Sequence, residues 1–291
     1  MHEIRQVAIV GAAGKMGSWF CVYFARRGLD VSAYDINQQK KRKRLDNVHV
    51  KDSLNDCVKD ADLVLICVPP IRTPQAIREC VKKAKDGAII AEISSVKRKT
   101  FAALKKVPSN LQPLCIHPMF GAGASEKIRT KVLLMPVRNR TAELKIANEI
   151  FDKGDVRVLA NAEQHDKTIA IVHGLTYFAN FVFARIMMTS SRNISMLKQA
   201  AGTTFGLQSI IAESILTDEP DLIIALLQEN RYTMKYINQY IKAAAAIARL
   251  AVAKNTTELK ANILKVRSGL QKSQDLQQSY RRMYDIIENF K

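Results

Sequence analysis

The chain has 291 residues, 47% hydrophobic and 25% charged, which suits two ordinary globular domains and excludes a disordered chain. Its net charge of +18, from 45 basic and 27 acidic side chains, admits phosphate contacts with nucleic acid. The basic residues are spread out, however, and the one dense run, Lys40–Arg44, has no interleaved aromatics, so the charge reads as a field drawing in an anionic substrate and cofactor, with nucleic acid set aside as a partner.

Cys21, Cys57, Cys67, Cys80 and Cys115 form no Cys-x-x-Cys pair, and no Cys or His pair has ligand spacing. Reduced, structural thiols and no metal site are expected. No apolar run reaches the roughly 18–20 residues of a membrane span. Residues 1–6 lead directly into a strand without a leader, so a cytoplasmic protein without membrane association is expected.

In chain order, residues 6–160 alternate β-branched runs with helical stretches, the pattern of a parallel sheet covered by helices. Strands are expected at Gln6–Val10, Asp30–Tyr34, Leu63–Val68, Ala88–Ile93, Gln112–Ile116, Val132–Val137 and Val156–Leu159. Met16, Phe20, Val22 and Tyr23 mark a helix between the first two, stopped by Gly28. After residue 160 the strand signal disappears. His165–Thr189 is too apolar for a helix with one buried face and belongs inside a domain or at a dimer interface. Further helices are expected at Ser195–Leu216, Pro220–Ala253 and from Thr257 to the end. The predicted division is an α/β domain over 1–160 and an all-α domain over 161–291.

The turn Gly11-Ala12-Ala13-Gly14-Lys15-Met16-Gly17 joins the first strand to the first helix, the context a dinucleotide-binding turn requires. Gly11 permits the tight turn, Gly14 lets backbone approach a pyrophosphate, and Gly17 lets helix and sheet pack closely. Amides of Ala13, Lys15 and Met16 then meet the negative charge at the helix N-terminus. Asp35 ends the second strand, 24 residues after Gly11, where a carboxylate accepts ribose hydroxyls and repels a 2′-phosphate. The Lys40–Arg44 run pulls toward that phosphate but reads as a solvated helix start, so NAD is preferred over NADP. Val68-Pro69-Pro70 closes a strand at the edge where ligands of open α/β sheets gather, adding Val68 and Pro69 to the cofactor set.

The next two strands end at that same edge. One delivers Ser94 and Ser95, the other His117 in the run His117-Pro118-Met119-Phe120-Gly121. Oxidising an alcohol by hydride transfer needs a base of near-neutral pKa, and histidine fits.

Together these residues resemble the prephenate dehydrogenase family of tyrosine biosynthesis. The resemblance rests on Gly11–Gly17, Ser94-Ser95-Val96-Lys97, His117-Pro118-Met119-Phe120-Gly121, Gln164-His165-Asp166 and Val172-His173-Gly174-Leu175-Thr176, and extends more weakly through Pro220–Asn230. It implies a Rossmann domain followed by an all-α domain that forms a homodimer, and NAD(P)-dependent oxidative decarboxylation of prephenate to 4-hydroxyphenylpyruvate. It further implies that His117 takes the ring hydroxyl proton, that Ser95 hydrogen-bonds the same hydroxyl, and that Ser94, His165, His173 and Tyr177 line the substrate pocket. For His173, a core histidine on a buried helix is the alternative. The length after Pro220 leaves no room for a further regulatory domain, so a monofunctional chain is expected.

Departures from the family pattern bear on substrate. Where members usually carry an arginine for a substrate carboxylate, this chain has Glu213 or Ser214, depending on alignment. Ala201–Phe205 also departs from the usual segment, and Gly123 stands where some members have glutamate. Either another cation (Arg129, Lys127 or Arg231) replaces the arginine, or the substrate differs. Arogenate or 4-amino-4-deoxyprephenate would place an ammonium before Glu213, and an unrelated hydroxy acid is a further option. A non-catalytic nucleotide- or nucleic-acid-binding protein on the same fold is the alternative of another class.

Overall fold

The computed structural model describes residues 3–37, 46–125, 130–152, 154–190 and 194–288. The Lys40–Arg44 run, Lys127 and Arg129 lie outside the described residues. The chain forms two compact units, Met1–Ile169 with Ile224–Arg231, and Ala170–Ile223 with Tyr232–Lys291.

The first unit is built from β1 (Gln6–Val10), α1 (Lys15–Arg26), β2 (Asp30–Tyr34), β3 (Val48–Val50), α2 (Leu54–Val58), β4 (Leu63–Ile66), α3 (Thr73–Val81), β5 (Ile89–Glu92), α4 (Arg98–Leu104), β6 (Gln112–Pro118), β7 (Lys131–Leu134), α5 (Arg140–Ile150), β8 (Asp155–Val158) and α6 (Ala162–Ile169). The strands form one sheet in the order β3-β2-β1-β4-β5-β6-β7-β8. Its first six positions have the strand order of a Rossmann fold. Every residue of β4 and β5 is buried, as expected of central parallel strands covered on both faces.

Two features depart from the expected sheet. β3 was not expected: a three-residue edge strand with a half-exposed Val-His-Val sequence carries too little pattern to be seen. β6 and β7 pair antiparallel, His117 opposite Leu133, in an otherwise parallel sheet. A parallel return needs a crossover, usually helical; residues 119–130 supply no helix among those described, so the strand turns back on its neighbour.

The core beneath the sheet is aromatic on the α1 side. Phe20 packs on Phe24 and Phe151 at ring-centroid distances of 5.9 and 6.1 Å. The polar tips at its rim are satisfied: Trp19 Nε1 donates to the Ala124 carbonyl (2.9 Å) and Tyr23 OH to the Ile150 carbonyl (2.7 Å). All five cysteines are free, and burial pushes the Cys80 thiol up to about 12, the behaviour of an inert structural cysteine.

The second unit is helical. A π-helical turn (Ala170–Leu175) leads into α7 (Thr176–Ser190), followed by α8 (Ile194–Gln199), α9 (Thr203–Ile215), α10 (Pro220–Gln228), α11 (Thr233–Val252), α12 (Thr256–Gln271) and α13 (Leu276–Glu288). The last part of α10 belongs to the first unit. Three helices expected as single pieces are each broken, at Ala200–Gly202, at 229–232 and at 272–275. Gly202 and Asp275 start new helices there, Asp275 accepting the amides of Gln277 and Gln278.

The expectation that nothing could span a membrane needs correction. The helical segment Ala162–Thr189, 28 residues, is long and apolar enough by composition. His173, Thr176, Asn180 and Arg185 interrupt its apolar run, so the sequence shows no continuous apolar stretch there. Within the helical unit α7 packs along α9, and Asn180 accepts a hydrogen bond from Gln208 Nε2 (2.6 Å), the behaviour of a domain helix.

Candidate active site

The glycine turn has the geometry its sequence implies. Gly11 has φ +89°, and a Cβ there would meet the Cys67 carbonyl carbon at 2.9 Å and Val68 Cγ1 at 3.0 Å. A Cβ on Gly17 would run into the Gly11 carbonyl oxygen and lie 2.8 Å from Ala12 Cα, so helix and strand touch through bare backbone. Gly14 is the N-cap of α1 and supplies no side-chain cap, leaving the first-turn amides for an anion. Lys15 is exposed, Met16 half-buried, and Pro69 exposed beside Val68. Asp35 holds the turn itself, one carboxylate oxygen accepting the Ala13 amide (2.8 Å) and the other the Asn37 amide (2.8 Å). These residues fit a dinucleotide: a sterically enforced cradle, uncapped helix amides and a carboxylate at the end of β2.

At the other strand ends a buried polar chain begins. His117, 2% exposed, is the penultimate residue of β6, with Nδ1 2.9 Å from Nε2 of His165. His165, fully buried on α6, sets its Nδ1 2.8 Å from Asp166 Oδ1. Asp166 is held in turn: Oδ1 accepts the Lys97 amide (3.0 Å), Oδ2 the Arg98 amide (3.1 Å), and its carbonyl the Asn230 side-chain amide (2.7 Å). The resemblance implies a pocket-lining His165 in the helical domain. In the structure His165 groups by contacts with the sheet unit, and both its ring nitrogens face a partner.

Beneath this chain lies a fully buried ion pair, Lys97 Nζ to Glu92 Oε1 at 2.7 Å. Lys97 Nζ also donates to the Ile116 carbonyl (2.6 Å), the residue before His117, while Glu92 Oε2 accepts the Ser94 amide (2.9 Å). The pair therefore ties the ends of β5 and β6 that carry the serines and the histidine. Ser94 is buried and donates its hydroxyl to the Val96 carbonyl (3.2 Å), whereas Ser95 is half-buried. Past His117, Met119 donates its amide to the Lys131 carbonyl (2.8 Å) and Phe120 packs on Trp19 at 4.9 Å.

Sequence reasoning gave no role to Glu92, Lys97, Asp166 or Asn230. An acidic residue closing an all-apolar strand, as Glu92 does, was the available signal for a buried charge. Asn230 carried none, because its partner lies 64 residues away.

The helical unit holds most of the remaining predicted residues. His173 sits in the π-helical turn with its ring edge-on to Tyr177 at 6.0 Å, and Tyr177 donates its hydroxyl to Asp218 Oδ2 (2.7 Å). Burial holds the His173 imidazole below its ordinary 6.5, against an opposing pull from Asp218. Burial, joined by the Asp218 hydrogen bond, pushes the Tyr177 phenol well above 10. Glu213 on α9 grips Lys198, Nζ lying 2.7 Å from Oε1 and 3.0 Å from Oε2. Arg231, in the sheet unit, faces Glu163 at 3.6 Å.

Comparison with known proteins identifies the family and the fold. The family profile described as prephenate dehydrogenase, nucleotide-binding domain, matches residues 22–160, and that described as prephenate dehydrogenase, dimerization domain, matches 161–265. The chain is 25% identical over 222 residues to a probable arogenate/prephenate dehydrogenase of Methanocaldococcus jannaschii, covering 74% of this chain and 50% of that protein. It is 24% identical over 238 residues to the T-protein of Enterobacter agglomerans, covering 82% and 60% respectively, so it spans roughly half the length of these relatives. The crystal structure of prephenate dehydrogenase from A. aeolicus in complex with hydroxyphenyl propionate and NAD+ has the same fold, with a TM-score of 0.73 at 22% identity over 94% of this chain and 99% of that one. The chain belongs to the prephenate dehydrogenase family.

Proposed function

We propose that this chain is an NAD-dependent dehydrogenase that oxidises the ring hydroxyl of prephenate, with loss of the ring carboxylate as carbon dioxide, to give 4-hydroxyphenylpyruvate. The observation that carries this reading is His117, buried at the ligand edge of a Rossmann sheet and linked to a second histidine and a carboxylate. His117 takes the hydroxyl proton and Ser95, the less buried of the two serines, hydrogen-bonds the same oxygen. Gly11, Ala13, Gly14, Lys15, Met16, Gly17, Val68 and Pro69 hold the cofactor, and Asp35 accepts the ribose hydroxyls, which favours NAD over NADP. When bound, the nicotinamide supplies the hydride acceptor. The division of labour falls at residue 160, the sheet side holding cofactor and base and the helical side forming the homodimer.

The test is NADH formation with prephenate and with arogenate, for wild type and His117→Asn. Turnover should fall at least about 100-fold in the variant, the lower range for losing a general base. Undiminished turnover would remove His117 from the reaction, and no reduction with either substrate despite NAD binding would reject the assignment.

The second reading, arogenate, is favoured by Glu213 or Ser214 at the position of the family's arginine. Its ion pair sets both signs of charge there, Lys198 for a carboxylate and Glu213 for an ammonium. Glu213→Gln should selectively lower kcat/KM for arogenate if that is the substrate. Lys198→Met should selectively lower it for prephenate in the other case.

A further inference from the structure

We infer that His117 passes on the charge it gains: as it takes the substrate proton at Nε2, its own Nδ1 proton moves to Nε2 of His165, and Asp166 holds the resulting imidazolium. This rests on the reading of His117 as the base. His165 and Asp166 are positioning and relay residues that work through it.

The direction of the chain follows from its far end. Asp166 cannot rotate, since the amides of Lys97 and Arg98 fix its two oxygens and Asn230 fixes its carbonyl. A carboxylate only accepts, so the His165 Nδ1 that faces it carries hydrogen. A neutral His165 then has its lone pair on Nε2, the atom 2.9 Å from His117 Nδ1. His117 in turn carries hydrogen on Nδ1 and its lone pair on Nε2, the form that works as a base. The opposite tautomer of His165 would put hydrogen on His117 Nε2 and make it an acid.

Burial supplies the reason for a relay. His117, His165 and Asp166 are 2%, 0% and 4% exposed, so an imidazolium confined to His117 would stand in a poorly solvated site, one ring away from the Asp166 carboxylate. The neighbouring Glu92 carboxylate is already paired with the Lys97 ammonium. Moving one proton by one ring places the cation beside Asp166. The balance is complete: the substrate O–H and the His117 Nδ1–H bonds break, those at His117 Nε2 and His165 Nε2 form, and Asp166 stays ionised.

Nitrogen-15 NMR of the histidine rings in the full-length protein tests the direction without substrate. Hydrogen on Nδ1 of both His117 and His165 is expected, and hydrogen on His117 Nε2 in place of Nδ1 would overturn the inference. In Asp166→Asn, the His165 preference should collapse to a mixture. Because Asp166 also holds the α4 amides, His165→Gln is the second variant and leaves those amides bonded. Its amide can donate to Asp166 and accept from His117 Nδ1–H, preserving the tautomer, but cannot take up a proton. The relay predicts that kcat falls about 100-fold in His165→Gln with KM changed less than about twofold. An unchanged kcat would reduce His165 to a positioning residue and overturn the relay, leaving the base reading intact if His117→Asn is inactive. Turnover surviving in His117→Asn would instead sink the base reading itself.

Discussion

A lysine with no exposed surface, bonded to an equally buried glutamate, is the most demanding residue pair in this protein. Desolvation offsets much of the attraction between two such charges, but removing one partner strands the other. Lys97→Met should therefore lose about 3–5 kcal/mol of stability in urea unfolding, and adding Glu92→Gln should recover much of that loss. Stability of the single variant within error of wild type would mean that Glu92 finds another partner. The pair also shows the limit of reading residues one at a time. Lys97 and His117 stood out as motif members, and His117 could be assigned its chemistry from residue type and strand position. The partners Glu92, Asp166 and Asn230 could not, because each acquires a role only once β5, β6, α4 and α6 are packed together.

At the scale of elements, long periodic segments were legible and short or interrupted ones were not. β1, β2 and the glycine turn follow from local sequence: a run of β-branched residues, then a turn with room only for glycine. The antiparallel β7 is invisible in its own residues, since its direction is set by the connection before it. The π-helical turn is equally silent, although Gly174 marks it in retrospect: a Cβ there would meet Thr233 Oγ1 at 2.6 Å on α11. His173, in this turn, makes the element sensitive to acid. Its folded-state pKa lies below 6.5, so below that pH the unfolded chain binds more protons than the folded one. The contribution is thus complete above about pH 6.5 and declines as pH falls toward the folded value. His173→Gln should flatten the loss of stability as pH falls below about 6.5 relative to wild type; identical profiles in chemical unfolding would exclude this histidine as the source.

Over the whole molecule, the helical unit leaves large apolar side chains uncovered, including Ile241 and Ile247, each about half exposed, and Val252 at 85% on α11. Uncovered apolar side chains of this kind are what a homodimer would cover. Ile241→Glu combined with Ile247→Glu should shift sedimentation from dimer to monomer, and an unchanged dimer would place the interface on another face.

The sheet unit is not continuous in sequence, for it is completed by Ile224–Arg231, which supplies Asn230 to the Asp166 carbonyl and Glu229 to Lys99 at 2.6 Å. During synthesis, every strand and the glycine turn leave the ribosome well before that segment does. The nascent chain can therefore assemble a nucleotide cradle early, while the support behind Asp166 waits until a large part of the helical unit has been made. A fragment ending at Ile169 would carry the cradle and both histidines, but not the last peg behind the carboxylate.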